Sequence, residues 1–165
     1  MINRRDLTMA GAAALAAGAL PLQSRAATPK DTLVLAFAFD DIISLDPAEV
    51  FEISGGEMMG NAYDRLLRYD VNDPSKLLPD LAKSWKVSGD GKTYSFELKP
   101  GLEFASGNPV SAEDVVFSLQ RAVLLDKTPA FILGQFGWTP ENVDSMITAD
   151  GENVIIKTDK PYAPT

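Results

Sequence analysis

The chain has 165 residues, 45% of them apolar and 23% charged, with a net charge of -8. It contains neither cysteine nor histidine. That removes disulfides, zinc–thiolate centres, Cys nucleophiles, Ser-His-Asp systems and HExxH metal sites, and the acidic balance opposes nucleic-acid binding, which needs clustered Lys and Arg.

The first 26 residues read as an export signal. Arg4 and Arg5 form a positive start, Thr8–Leu22 is an apolar run, and Ser24 and Ala26 are the small residues of a cleavage site. Adjacent arginines before a mildly apolar run suit twin-arginine export. Asn3 and Thr8 depart from that pattern, so the general secretory route stays open. The run is too short and too rich in Ala and Gly to span a bilayer, which takes about 20 apolar residues. No cysteine follows it, so a lipid anchor is excluded. Cleavage near Ala26 would leave 12 basic and 22 acidic residues, taking the net charge from -8 to -10. A soluble, periplasmic protein without a membrane anchor is expected.

Thr32–Ala38 is a continuous apolar run, predicted as a strand buried on both faces. Ser44–Pro47 predicts a turn or helix start, with Pro47 at a first helical position. Ser54 and Glu57 have capping-box spacing, so a helix is expected with Met58, Met59, Ala62, Tyr63, Leu66 and Leu67 on its apolar face. A short strand at Arg68–Asp70, a polar loop at Val71–Lys76 and one helical turn at Leu78–Ala82 follow. Trp85–Val87 and Tyr94–Leu98 alternate, and Asp90-Gly91 between them predicts a hairpin. Phe104 is expected to anchor the next loop, which Gly107-Asn108 turns. Ser111 with Asp114 caps a helix whose stripe is Val115, Val116, Leu119, Ala122 and Val123. Phe131–Leu133 suggests a short helix, and Val143–Ala149 with Asn153–Thr158 a second hairpin across Asp150-Gly151. Glu113-Asp114 looks like a catalytic carboxylate pair. Neighbouring helical positions do not face each other, however, and helix-dipole complementation accounts for both. The chain closes on a Pro-containing connector, and no later βαβ unit covers the first strand, so a fragment of a larger domain is expected.

The blocks Leu45–Pro47, Tyr63–Asp70, Leu78–Phe104, Ser111–Ala122 and Asp150–Pro164, in this order, resemble the N-terminal part of family 5 extracellular solute-binding proteins. These are the dipeptide- and oligopeptide-binding receptors of ABC importers, and the likeness covers about residues 32–165. It implies an α/β fold, α+β in subdomain Ib, of the periplasmic binding protein-like II bilobal type. Only the N-terminal part of domain I would be present. Residues 1–26 would be the signal peptide, 27–46 the start of subdomain Ia, and 47–165 subdomain Ib. The chain would stop before the return to domain I and domain II.

Ligands of open α/β sheets lie beyond the carboxyl ends of strands. The loop Phe39-Asp40-Asp41 is therefore the first candidate for the site, with Phe39 and Asp40 as its expected ligand contacts, although Asp40 and Asp41 also suit a turn. The resemblance adds the segment before the Tyr63 block. Phe51 would pack on a side chain, Glu52 or Asp40 would meet a cation, and backbone groups of Ile53, Ser54 and Gly55 would pair with a peptide in strand fashion. Glu52 suits a surface charge better than a ligand and Glu57 a cap rather than a ligand; Trp85, Tyr94 and Phe96 suit core. The expected function is capture of a peptide or similar small solute by lobe closure, for delivery to an inner-membrane ABC permease. No bond is made or broken, no cofactor or metal is required, and the receptor is a monomer. A carboxylate-dependent exported hydrolase and a periplasmic chaperone-like binding module are the alternatives.

Overall fold

The computed structural model describes residues 28–36 and 38–162. These fall into two units, divided after Phe37. The export-signal residues Arg4, Arg5, Ser24 and Ala26 lie outside the described residues.

In the first unit, residues 32–36 form no strand, and Leu33 stands 80% exposed. This corrects the expected doubly buried strand. A parallel strand needs hydrogen-bonded neighbours and covered faces, and among the described residues no strand pairs with this run.

The second unit is built on a hairpin-based sheet. Strands β3 (Ala82–Val87) and β4 (Thr93–Leu98) pair antiparallel, with Trp85 opposite Phe96 and Val87 opposite Tyr94. Gly91 turns the hairpin at φ 70°, a conformation that costs side chains strain but glycine none. Ser88 and Asp90 brace it: the Asp90 carboxylate accepts from the Ser88 hydroxyl and the Lys92 N–H. Strands β5 (Ile147–Asp150) and β6 (Asn153–Lys157) form the second hairpin, and β6 adds to β4, giving the order β3-β4-β6-β5. The register sets Trp85, Phe96, Val154 and Ala149 in one row and Val87, Tyr94, Ile156 and Ile147 in the next. Side chains alternate along each strand, so both rows lie on one face of the sheet.

Helix α2 (Ala112–Leu125) covers that face. Ala112, Val116 and Val123 are buried with Leu98, Trp138, Val143, Ile147 and Val154 in one cluster, and Val115 and Leu119 pack against it. The helix starts as the sequence predicts. The Ser111 hydroxyl accepts from the Asp114 N–H, and the Asp114 carboxylate accepts from the Ser111 N–H. The Ser111 hydroxyl also donates to the Asp114 carboxylate at 2.7 Å, and the two bonds that carboxylate accepts from Ser111 hold it below its ordinary range, the backbone N–H contributing most. Two long-range bonds fix the layer. The Gln120 amide donates to the Ile147 carbonyl and the Trp138 indole donates to the Lys157 carbonyl at 2.7 Å. Helix α3 (Ala130–Gly134) follows α2, and helix α4 (Val143–Met146) leads into β5.

Several local expectations are corrected. Leu78–Ala82 is no helical turn: β2 (Leu77–Pro79) pairs with β1 (Leu67–Tyr69), Arg68 opposite Leu78. Proline lacks a donor but is tolerated at a strand edge, and a two-stranded sheet is all edge. Val143–Met146 is helical rather than extended, so the second hairpin begins at Ile147. Of the two expectations for Ser44–Pro47, a turn or a helix start, the turn is the one found. In it the Asp46 carbonyl accepts from Glu49 and Val50 N–H, and Phe104, expected to anchor its loop, is half-exposed.

Helix α1 (Ile53–Ala62) is the largest local departure. It starts before Ser54, because Glu52 takes the extended cap conformation and its carbonyl accepts from Gly56. Ser54 therefore falls in the first turn instead of capping it, and Glu57 is exposed, so the expected box does not form. The helix buries Ser54 and Gly55, whereas Met58, Ala62 and Tyr63 on the predicted apolar face are exposed.

Candidate functional site

The segment from Asp46 to Gly55 is held from behind and open in front. Its rear anchor begins at Asp46. The Asp46 Oδ1 accepts from the Ala48 N–H at 2.9 Å, and the Asp46 N–H donates to the Ser44 hydroxyl. Ala48 and Val50 are thereby turned inward and are buried. Val50 in turn fills the space that Gly55 leaves by having no side chain: a Cβ there would lie 2.3 Å from Val50 Cγ2.

Ser54 ties the start of α1 to the chain before it. Its hydroxyl donates to the Ala38 carbonyl at 3.3 Å, and its N–H donates to Asp41 Oδ2 at 3.5 Å. A carboxylate thirteen positions earlier thus takes one of the N–H groups that a helix start leaves without a partner in the helix. Asp41 Oδ1 is buried, with no hydrogen-bond partner among the described residues.

Two contacts join this segment to the helical layer. Arg121 on α2 holds Asp46 with both nitrogens, Nη1 to Oδ1 at 2.8 Å and Nη2 to Oδ2 at 2.5 Å. A two-pronged guanidinium–carboxylate pair has fixed geometry and is stronger than a single contact. The Arg121 hydrogen bond is the first cause lowering the Asp46 carboxyl to about 2, with the Ala48 N–H second. Asp46 raises the Arg121 pKa in return. Phe51 meets Phe131 of α3 edge to face, ring centres 5.2 Å apart, an arrangement aromatic quadrupoles favour. A cleft of about 920 Å3 opens beside the ion pair, walled by Leu45, Pro47, Tyr63, Phe117, Leu119 and Ile132 among others.

The residues expected at the site divide into two groups. Phe51 is 48% and Ile53 87% exposed; Phe39 is about half exposed and Asp40 is exposed. Glu52 is half-buried, and its carboxylate accepts from the Phe51 N–H. Ser54 and Gly55 are instead buried. Ile53, Ser54 and Gly55 are helical, so the strand-like pairing expected of their backbone is not the geometry found. Reading the sequence also missed the Asp46–Arg121 pair. Both residues stand in the blocks that carry the resemblance, but a contact across 75 positions leaves no local signal.

Among the described residues no three His, Cys, Asp or Glu side chains cluster so as to hold a metal ion. No helix there is long and apolar enough to cross a membrane.

An antiparallel sheet under one long helix, with mixed α and β elements around it, is the fold of a type II solute-binding protein in the part covered here. The solved structure of the Escherichia coli murein tripeptide binding protein MppA is similar. It superposes with a TM-score of 0.57 at 27% identity, over 72% of this chain and 25% of that one. The family model for bacterial extracellular solute-binding proteins, family 5 middle region, matches residues 76–165. The chain belongs to that family.

Two curated relatives agree. The probable D,D-dipeptide-binding periplasmic protein DdpA of Escherichia coli is 34% identical over 86% of this chain and 26% of its own length. The probable peptide ABC transporter periplasmic-binding protein y4tO of Sinorhizobium fredii is 38% identical over 73% of this chain and 22% of its own length. The chain thus spans about a quarter of the length of each of these two relatives.

Proposed function

We propose that this chain contributes part of one lobe of the substrate-binding receptor of an ABC importer, and that the receptor captures a peptide or similar small solute. The solute is held between lobes, passed to an inner-membrane permease, and left chemically unchanged. One observation carries the reading: the segment Phe51–Gly55 presents the half-exposed ring of Phe51, whose other side packs on Phe131, and the exposed Ile53 on a base where Val50, Ser54 and Gly55 are buried. Ligand sites are commonly apolar with few polar groups on a preformed support, and such a base keeps the ordering cost of binding low.

In this reading Phe39, Phe51 and Ile53 pack against the solute, and Asp40 and Glu52 meet a cationic group. Ser54 and Gly55 belong to the site as its support. Residues 1–26 are the export signal, removed near Ala26 after twin-arginine routing. Residues 27–46 begin subdomain Ia, and 47–165 form subdomain Ib of a periplasmic, monomeric receptor.

The test is calorimetry on the full-length protein with defined di- and tripeptides, alongside mass spectrometry of whatever co-purifies. Binding without turnover, weakened at least tenfold by Phe51→Ala and Ile53→Ala together, is expected. Hydrolysis of the bound peptide, or an affinity indifferent to both substitutions, would overturn the reading.

A further inference from the structure

We propose that Arg121 is a positioning residue: from α2, outside the solute-facing segment, it clamps Asp46 and so fixes the geometry of the segment through Gly55. The inference rests on the proposed function, because it concerns the same segment.

The mechanical chain is continuous. Both guanidinium nitrogens grip both oxygens of Asp46. Asp46 then organises the turn through three backbone N–H groups: its carboxylate takes that of Ala48, and its carbonyl takes those of Glu49 and Val50. Val50 is seated against Gly55, and no side chain larger than hydrogen fits at Gly55 without displacing it. Movement at Asp46 is therefore passed to the first turn of α1 through packed groups rather than through a flexible linker.

Most surface ion pairs contribute little, because two long side chains must be ordered in high dielectric. This pair differs in two respects. It is bidentate, and its side chains keep only 37% and 30% of their exposure. The shorter partner is already fixed by the turn it closes, so less ordering cost falls on that side. Arg121 is also well placed for the role because its own element is rigid. Gln120, its neighbour, is bonded to the Ile147 carbonyl, and Val116 and Val123 on the same helix are buried in the core. The clamp thus couples the sheet-and-helix layer to the segment at a point where Phe51–Phe131 is the second, apolar link.

The experiment uses hydrogen exchange of the full-length protein, read at peptides covering residues 46–55 and, as an internal control, at β3, β4 and α2. The variants are Arg121→Gln, Arg121→Lys and Asp46→Asn; the last keeps an oxygen for the Ala48 N–H while removing the charge. Arg121→Gln and Asp46→Asn are expected to speed exchange at 46–55 tenfold or more, with less than twofold change in the control regions. Arg121→Lys restores part of the protection, because it keeps the charge but loses the fork. The double variant exchanges no faster than either single one, as expected for two halves of one contact. Unchanged exchange at 46–55, or an equal rise everywhere, would overturn the clamp. Binding of the tripeptide Ala-Ala-Ala is measured on the same proteins, with a loss of tenfold or more expected in Arg121→Gln. Local loosening with unaltered affinity would overturn the positioning role. Failure of the underlying site reading shows separately, as indifference to Phe51→Ala and Ile53→Ala.

Discussion

Gly55→Ala is the sharpest single perturbation of the segment. The new Cβ would lie 2.3 Å from Val50 Cγ2, where carbon atoms prefer about 3.5–4.0 Å. Val50 is only 9% exposed, and its branched side chain is stiff at χ1, so it has no cheap way to move. Overpacking of this kind costs about 1–3 kcal/mol. Alanine is a better helix former than glycine by up to about 1 kcal/mol, which offsets part of the loss. With the full helix-propensity offset, a net destabilisation of up to about 2 kcal/mol follows from these two terms. Val50→Ala alone removes two buried methyl groups, at about 0.8 kcal/mol each. In the double variant, the alanine methyl occupies the space that valine vacates. Its loss should fall short of the summed single losses by about 1 kcal/mol or more. Urea unfolding of all four proteins, followed by emission of the two tryptophans, measures the cycle. Losses that add to within about 0.5 kcal/mol would refute the packing argument.

Three further outcomes are expected. Ser111→Ala removes the acceptor for the Asp114 N–H and should cost about 1 kcal/mol in the same unfolding assay, with Ser111→Asp recovering most of it. Ile147→Ala empties a fully buried site in the core cluster and should cost about 2–5 kcal/mol, far more than the same change at exposed Ile43. Asp46 titrates at about 2 when folded, against an ordinary 3.8. A lowered carboxyl stabilises the fold above its unfolded pKa and loses that contribution as pH falls through the folded one. The stability difference between wild type and Asp46→Asn should therefore hold above about pH 4 and shrink toward pH 2, where acid-unfolding curves would converge.

Much of the sheet-and-helix layer was legible in the residues alone. The β3–β4 hairpin follows from alternation of Trp85, Val87, Tyr94, Phe96 and Leu98 around a turn that glycine makes inexpensive. The start of α2 follows from Ser111 and Asp114, because a capping box is complete within four residues. The short α3 and the Asp150-Gly151 turn are likewise local events. Leu78–Ala82 misled because Leu-Pro-Asp-Leu-Ala suits a helical turn as well as it suits an edge strand. Pairing with Leu67–Tyr69 chose between them. Thr32–Ala38 misled because apolar content does not by itself give burial, and no partner strand meets residues 32–36 among the described residues.

The amino-acid order by itself determined the absence of thiol and imidazole chemistry, the acidic charge, the capped helix and the hairpin turns. Each of these is a property of one residue or of residues a few positions apart. Only the tertiary structure decided that α1 starts before Ser54, that Asp41 serves that start, that Val50 occupies the space beside Gly55, and that Arg121 grips Asp46. These depend on groups up to 75 positions apart. Such contacts form because folding brings their elements together, and no local propensity encodes them.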